Sequence, residues 1–321
     1  MSDLHSLIRE RIAHNHWGFL GTQGSVIGVD LGGYGLRATL VDLKSHDCYS
    51  AQAEWSSDPS QVIERALELV RQLLADSGTA VDHVVRMAIG FPGPVDQRYG
   101  TVRLSPRTPG WENYPLQERF EQAFDAVTLI DNDANLIALG EASFGVGKGS
   151  QHLFYLHLSS GVGGGLVLDG RLYHGATSTA GEIGHAVVGR GWGADSQPET
   201  LEELVSVSGL LRRAASLGLH TDNLEDIFGD NQVGRQIVDE TTSLLATRIA
   251  QLVALLDPEV VVLGGIVVRI GGPAFVEAIR TQVSRYIAPQ FDRPVEVVAS
   301  MIGFDSVTAG ALAMALNSLQ D

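Results

Sequence analysis

The chain has 321 residues, 44% of them hydrophobic, enough to bury a sizeable core in one large domain or two ordinary ones. With 38 acidic against 22 basic residues its formal charge is −16, which excludes nonspecific attraction to nucleic acid or anionic lipid as the basis of function. The single cysteine, Cys48, rules out an intrachain disulfide and any cysteine-rich zinc site. No apolar run approaches membrane-spanning length and the first residues do not read as a secretory signal, so the expectation is a soluble cytoplasmic protein without membrane or nucleic-acid partners. A chain this acidic can handle phosphates only with backbone N–H groups, a metal ion and a few local cations.

Residues 4–13 have helical character. The run Val26-Ile27-Gly28-Val29-Asp30 reads as a buried strand, followed by a glycine-rich turn over 31–35 and a second strand over 36–43. Gly32, Gly33 and Gly35 let the backbone turn tightly and bring N–H groups toward an anion, and Asp30 suits a water on a magnesium ion. An ordinary β-hairpin with a glycine turn fits the same residues equally well. A third strand around 48–54 precedes a well-marked helix, with Asp58 as N-cap, Pro59 at its first position and Val62, Ile63, Ala66, Leu67 and Val70 at helical spacing until Gly78. A strand over 83–89 closes at Gly90-Phe91-Pro92-Gly93-Pro94. Trp111, in the loop before a helix over 116–124, suits either stacking on a sugar ring or packing against the body of the protein.

An apolar run over 126–130 then gives way to Asp131-Asn132-Asp133-Ala134-Asn135, the pattern of a buried strand entering a helix. Asp133 is thereby placed at the carboxyl end of a strand and in the first turn of a helix, facing the crevice where open α/β sheets bind ligands. The helix dipole favours negative charge there. A fixed carboxylate in that position can accept a proton from a hydroxyl or help hold a metal. The plainer alternative is that Asp131 and Asp133 only cap the helix.

The second half repeats the theme: a strand over 153–158, a glycine loop over 159–165 and a returning strand over 166–169. This echo of residues 26–42 suggests an internal duplication and two similar lobes around a cleft, with the two glycine loops holding a polyphosphate from both sides. The small residues of 175–184 imply backbone that approaches something closely. Glu182 and His185, three residues apart, lie on one side of a helical turn and suit sugar hydroxyls; a solvated Glu182 and a backbone-bonded His185 are the alternative. A helix over 199–215 carries Glu202 near its start, and a long helix runs over 232–256. The strand of 260–263 ends at Gly264-Gly265, which suits a flat ring such as adenine or, more simply, a tight turn. A helix over 275–286, a strand over 295–299 and a closing helix over 307–319 complete an α/β chain. The expected division is a helical extension at 1–25, a small lobe at 26–132, a large lobe at 133–304, and 305–321 as a closing helix packed back on the small lobe.

Taken together, Ile27-Gly28-Val29-Asp30-Leu31-Gly32-Gly33, Asn132-Asp133-Ala134-Asn135, Gly161-Val162-Gly163-Gly164-Gly165, Ala180-Gly181-Glu182-Ile183-Gly184-His185 and Leu263-Gly264-Gly265 resemble the ROK family of repressors, open reading frames and sugar kinases. The similarity covers nearly the whole chain from Val26. It implies the actin-like ATPase (ribonuclease H-like) fold and an ATP- and Mg2+-dependent transfer of a γ-phosphate to a hexose hydroxyl, with Asp133 as general base. By the same resemblance Asn132, Glu182, His185 and Glu202 bind the sugar. Asp30, Gly32 and Gly33 together with Ser160, Gly161, Gly163 and Gly164 hold phosphates and magnesium, Gly264 and Gly265 border the adenosine, and the protein is a homodimer.

Three departures from the family pattern bear on this. Where the first phosphate loop usually continues Gly-Gly-Thr-Lys, this chain has Tyr34-Gly35, leaving the Tyr34 hydroxyl and, two positions on, the Arg37 charge. Ser159-Ser160 stands where Gly-Thr is common. The cysteines that with the family's histidine bind a structural zinc are missing from 187–202, which implies no zinc, His185 kept only for sugar, and a loop that is looser or held by Trp192. The first and third departures also fit a non-catalytic sugar-binding regulator of the repressor branch that lacks a DNA-binding domain.

Overall fold

The expected alternation of strands and helices is present in the computed structural model, which describes residues 4–14, 24–32, 35–103, 109–188, 199–287 and 295–320. The first elements are α1 (Leu4–His14), β1 (Ser25–Asp30), β2 (Leu36–Asp42), β3 (Cys48–Ala53), α2 (Pro59–Ser77), β4 (Val84–Phe91), β5 (Val95–Asp96) and β6 (Thr101–Val102). Next come α3 (Leu116–Phe124), β7 (Thr128–Asn132), α4 (Asp133–Ser143), β8 (Leu153–Leu158), β9 (Val162–Leu168) and β10 (Arg171–Leu172). After β11 (Val187–Val188) and β12 (Glu199–Thr200) follow α5 (Leu201–Val205), α6 (Val207–Ser216), α7 (Leu224–Ile227) and α8 (Gln232–Leu256). The chain closes with β13 (Val260–Gly264), α9 (Ile266–Tyr286), β14 (Glu296–Ala299) and α10 (Ser306–Asn317).

Two compact units divide these elements: residues 1–148, 174–179 and 301–321 in the first, 149–173 and 180–300 in the second. The expected boundary at 132/133 therefore moves. Helix α4 stays in the first unit because it packs closely along α10, which also covers β1 and β4. The contact is glycine-mediated: a Cβ on Gly140 would sit 3.0 Å from the Ser306 carbonyl oxygen and the Gly310 nitrogen, and one on Gly310 would collide with the Leu136 carbonyl.

The echo seen in the sequence extends to whole sheets. In the first unit the order is β3-β2-β1-β4-β7, with β3, β2 and β1 antiparallel and β1, β4 and β7 parallel. In the second it is β10-β9-β8-β13-β14, again an antiparallel meander followed by parallel strands. On one face of the first sheet α2 and α3 bury a core that includes Ile27, Val29, Leu67, Val70, Phe91 and Phe120. Helix α2 begins and ends as its sequence dictates: the Asp58 carboxylate accepts the Ser60 N–H at 3.0 Å, and Gly78 at φ +67° closes the helix. Trp111 belongs to this core, 5% exposed and edge-on to Phe91 and Tyr114, so packing and not sugar stacking accounts for it.

The second unit departs from expectation in three places. Gly163, Gly164 and Gly165 lie within β9, paired with β8, so the loop is only Ser159-Ser160-Gly161. Their lack of side chains serves close approach: a Cβ on Gly164 would stand 2.8 Å from the Tyr155 carbonyl, and one on Gly181 or Gly184 would collide with the backbone of β9. That is what the small residues around Glu182 approach. The helix expected over 199–215 is broken at Ser206, whose extended backbone ends α5 and whose Oγ caps α6 by accepting the Gly209 N–H at 3.3 Å. Helix α9 is interrupted at Gly272, whose φ of +66° is not helical: the part after Pro273 is the helix expected over 275–286, and the part from Ile266 before the break was not expected. Among the described residues no helix is long and apolar enough to cross a membrane.

Gly310→Ala is expected to cost about 1–3 kcal/mol through overpacking of α4 on α10. Denaturant unfolding measures this; an unchanged midpoint would show that the two helices separate without penalty.

Candidate functional site

The parallel strands β1, β4 and β7 end together at the carboxyl edge of the first sheet, with Asp30 paired to Gly90 and Asn132 to Phe91. The chain leaves β7 through Asn132, whose Oδ1 caps α4 by accepting the Ala134 N–H at 2.9 Å while its Nδ2 donates to the Gly93 carbonyl at 3.0 Å. Asp133 is the first residue of that helix. It is half-buried, and its Oδ1 also accepts the Ala134 N–H, at 2.7 Å. The cap of α4 is thus Asn132, and capping does not account for Asp131.

Asp131 is 1% exposed and surrounded by donors. Its Oδ1 accepts the Asn132 N–H at 2.7 Å and the Asn135 amide at 2.9 Å; its Oδ2 accepts Gln97 Nε2 at 2.6 Å and His174 Nε2 at 2.7 Å. Burial acts to lower the basicity of His174, but its hydrogen bond to Asp131 and the attraction of that carboxylate outweigh burial and hold its pKa above the ordinary value. Sequence reasoning missed His174 and Gln97, which lie in no motif and 43 and 34 residues away from Asp131 along the chain.

Asp30 is 7% exposed, and burial pushes its pKa up to about 7. The Asp133 and Asp305 carboxylates add to the shift, while the Gly32 N–H, donating to Oδ1 at 2.7 Å, and the Arg37 guanidinium oppose it. Arg37 stands opposite Asp30 in the β1–β2 pair, forms an ion pair with Asp305 at 3.4 Å and lies over the Phe304 ring. The glycine turn closes with the Gly35 N–H donating to the Gly32 carbonyl at 3.2 Å. Gly33 and Tyr34 lie outside the described residues, as does the 189–198 segment with Trp192.

In the second unit Glu202 is presented by a capping box at the start of α5: Thr200 Oγ1 accepts the Glu203 N–H at 3.3 Å, and Glu203 Oε2 accepts the Thr200 N–H at 2.7 Å. The Glu202 carboxylate accepts the Val162 N–H at 3.0 Å and so ties α5 to the β8–β9 turn. In that turn the Ser159 N–H donates to the Gly161 carbonyl at 2.8 Å, and Ser160 is exposed. Glu182 and His185 flank a single 3-10 turn, their side chains facing each other at 3.8 Å, with His185 74% exposed. Gly264 and Gly265 lead from β13 into α9. The Tyr155 ring fills the space over Gly264, and Gly265, at φ +94°, lies so close to Leu158 that a Cβ would collide with its carbonyl. Tyr155 OH also bonds His157 Nδ1 at 2.7 Å, and burial pushes the His157 pKa down to about 4, so this ring is neutral at physiological pH. The sequence-predicted groups of the first unit, Asp30, Gly32, Asn132 and Asp133, thus gather at one sheet edge. Those of the second lie on β9, on the 3-10 turn, on α5 and at the β13–α9 junction.

Because the folded pKa of Asp30 lies above that of an unfolded carboxylate, near 4, the folded chain holds a proton that the unfolded chain releases, and stability falls as pH rises from about 4 through 7. Asp30→Asn removes that loss. Its melting temperature relative to wild type is expected to rise by several degrees between pH 5 and pH 8, and a constant difference across that range would contradict the assignment.

The ROK family sequence pattern matches residues 26–318. A glucokinase of Thermotoga maritima is 31% identical over 89% of this chain and 95% of its own. A xylose repressor of Caldicellulosiruptor bescii is 26% identical over 92% of this chain and 79% of its own. Among solved structures, a ROK glucokinase from Streptomyces griseus in complex with glucose and AMPPNP superposes with a TM-score of 0.71 at 26% identity, over 92% of this chain and 100% of that one. The protein belongs to the ROK family.

Proposed function

We propose that this protein is a sugar kinase that transfers the γ-phosphate of ATP to a hydroxyl of a hexose, with Asp133 as general base. The observation that carries the reading is the carboxylate of Asp133 on the first residue of α4, in a turn fixed by Asn132 and Asp131. In the step proposed, the sugar hydroxyl passes its proton to Asp133 as its oxygen bonds to the γ-phosphorus. The bond from that phosphorus to the bridging oxygen breaks, and ADP leaves with the electron pair. Such a transfer depends on alignment and charge neutralisation more than on covalent help from the protein, so a rigidly held carboxylate is the group the chain must supply.

Asn132, Glu182, His185 and Glu202 are assigned to the sugar hydroxyls. Gly32-Gly33 and Ser160-Gly161 are assigned to phosphate oxygens through their backbone N–H groups, and Gly264-Gly265 to the border of the adenosine. The donor set at Asp30 fits a hard cation: a buried carboxylate with a raised pKa is driven to its charged form by a nearby positive charge. Magnesium held there would neutralise charge on the polyphosphate. With no cysteine between Val187 and Glu202, His185 is left to the sugar and not to a zinc ion. The relatives that act on sugars, the Thermotoga glucokinase and the Streptomyces glucokinase with its AMPPNP, support this choice of substrate and donor.

A second reading, sugar binding without phosphoryl transfer, is favoured by one observation: Tyr34-Gly35 replaces the Thr-Lys of the first phosphate loop. Coupled ADP release with ATP and Mg2+, measured across a panel of hexoses and N-acetylhexosamines, separates the two. Sugar-dependent turnover with at least one hexose is expected. No turnover with any sugar, while one of them raises the melting temperature, would replace the kinase by the regulator.

A further inference from the structure

The segment His174–Thr179 is flanked on both sides by chain of the second unit but belongs to the first. The β5–β6 hairpin holds it there. Arg98 donates to the Ala176 carbonyl at 3.3 Å, and Arg103, itself paired with Asp96 at 3.3 Å, donates to the Thr177 carbonyl at 2.6 Å. His174 is the only titratable side chain of the segment, and its Nε2 lies 2.7 Å from Asp131 Oδ2 and 2.8 Å from Gln97 Nε2, which also reaches that oxygen.

Asp131 divides its two oxygens between two tasks. Oδ1 faces its own turn and fixes the Asn132 N–H and the Asn135 amide, one on each side of Asp133. Oδ2 is held from outside that turn, by Gln97 on the hairpin and His174 on the segment. A carboxylate 1% exposed is held in one orientation by the donors that match its lone pairs, because a buried charge left short of partners is costly. Withdrawing the imidazole leaves Oδ2 with Gln97 as its remaining partner, one donor short, which favours a reorientation of the carboxylate that loosens the grip of Oδ1 on the turn two residues before Asp133.

We infer that His174 is a positioning residue for Asp133, acting through Asp131 with Gln97 as its companion. As a statement about turnover this rests on the reading of Asp133 as the base; as a statement about the turn it does not. Wild type, His174→Ala and His174→Gln are compared in two measurements: kcat and KM for sugar and ATP, and hydrogen exchange of peptides spanning residues 128–139. The alanine variant is expected to lose about ten-fold or more in kcat with KM for ATP within about two-fold of wild type, and to lose exchange protection in the turn. Glutamine, whose amide can donate to Oδ2, is expected to restore most of both. Wild-type kcat and protection in the alanine variant would overturn the inference, as would equal losses of kcat in both variants with exchange unchanged. Should the alanine variant not fold, Gln97→Met removes the other donor and is read the same way. A wild-type protein with no sugar-dependent turnover counts against the kinase, and the exchange comparison alone then decides whether His174 holds the turn.

Discussion

Three carboxylates, the buried Asp30 and Asp131 and the half-buried Asp133, crowd the carboxyl edge of one sheet, and much of the first unit can be understood as the means of keeping them there. Each is handled differently. Asp131 is surrounded by hydrogen-bond donors, Asp133 sits at the positive end of a helix, and Asp30 is left short of compensation, so that it holds its proton close to neutrality. A buried carboxyl only partly compensated in this way is suited to a cation, and that is the physical ground for the phosphate chemistry proposed at this edge.

The scaffold explains why the edge does not relax. Helix α4 starts at Asp133 and lies so close to α10 that glycine is the residue both helices use at the contact. Farther along α4, Glu141 is fully buried and accepts N–H groups from Val146, Met301 and Ile302, which pins the end of that helix to the chain entering α10. A helix fixed at its far end and along its flank has little freedom to carry its first residue away from the sheet.

How much of this the sequence discloses depends on the range of the interaction. Local rules give α2 from Asp58, Pro59 and Gly78, and the helix start at Asp133 from the polar cluster after an apolar run. Periodicity misassigns Gly163, Gly164 and Gly165, because glycines in a strand and glycines in a loop look alike until the backbone they approach is known, here Tyr155 for Gly164. The break at Ser206 is similarly hidden: an apolar helical pattern continues across it while the serine turns out to cap the next helix. Least visible is the partnership of Asp131 with Gln97 and His174, which no spacing rule connects. The Asp133 carboxylate emerges from the sequence; the reason it stays where it is does not.

The central claim is that Asp133 acts on the sugar hydroxyl's proton and is not needed to hold the sugar. Calorimetric titration of the phosphorylated sugar's parent hexose into Asp133→Asn, beside turnover of the same protein, tests it directly. The account predicts a dissociation constant within about ten-fold of wild type and a kcat lowered by about a hundred-fold or more, the range expected when a general base is removed. Turnover that survives in the asparagine variant would contradict it.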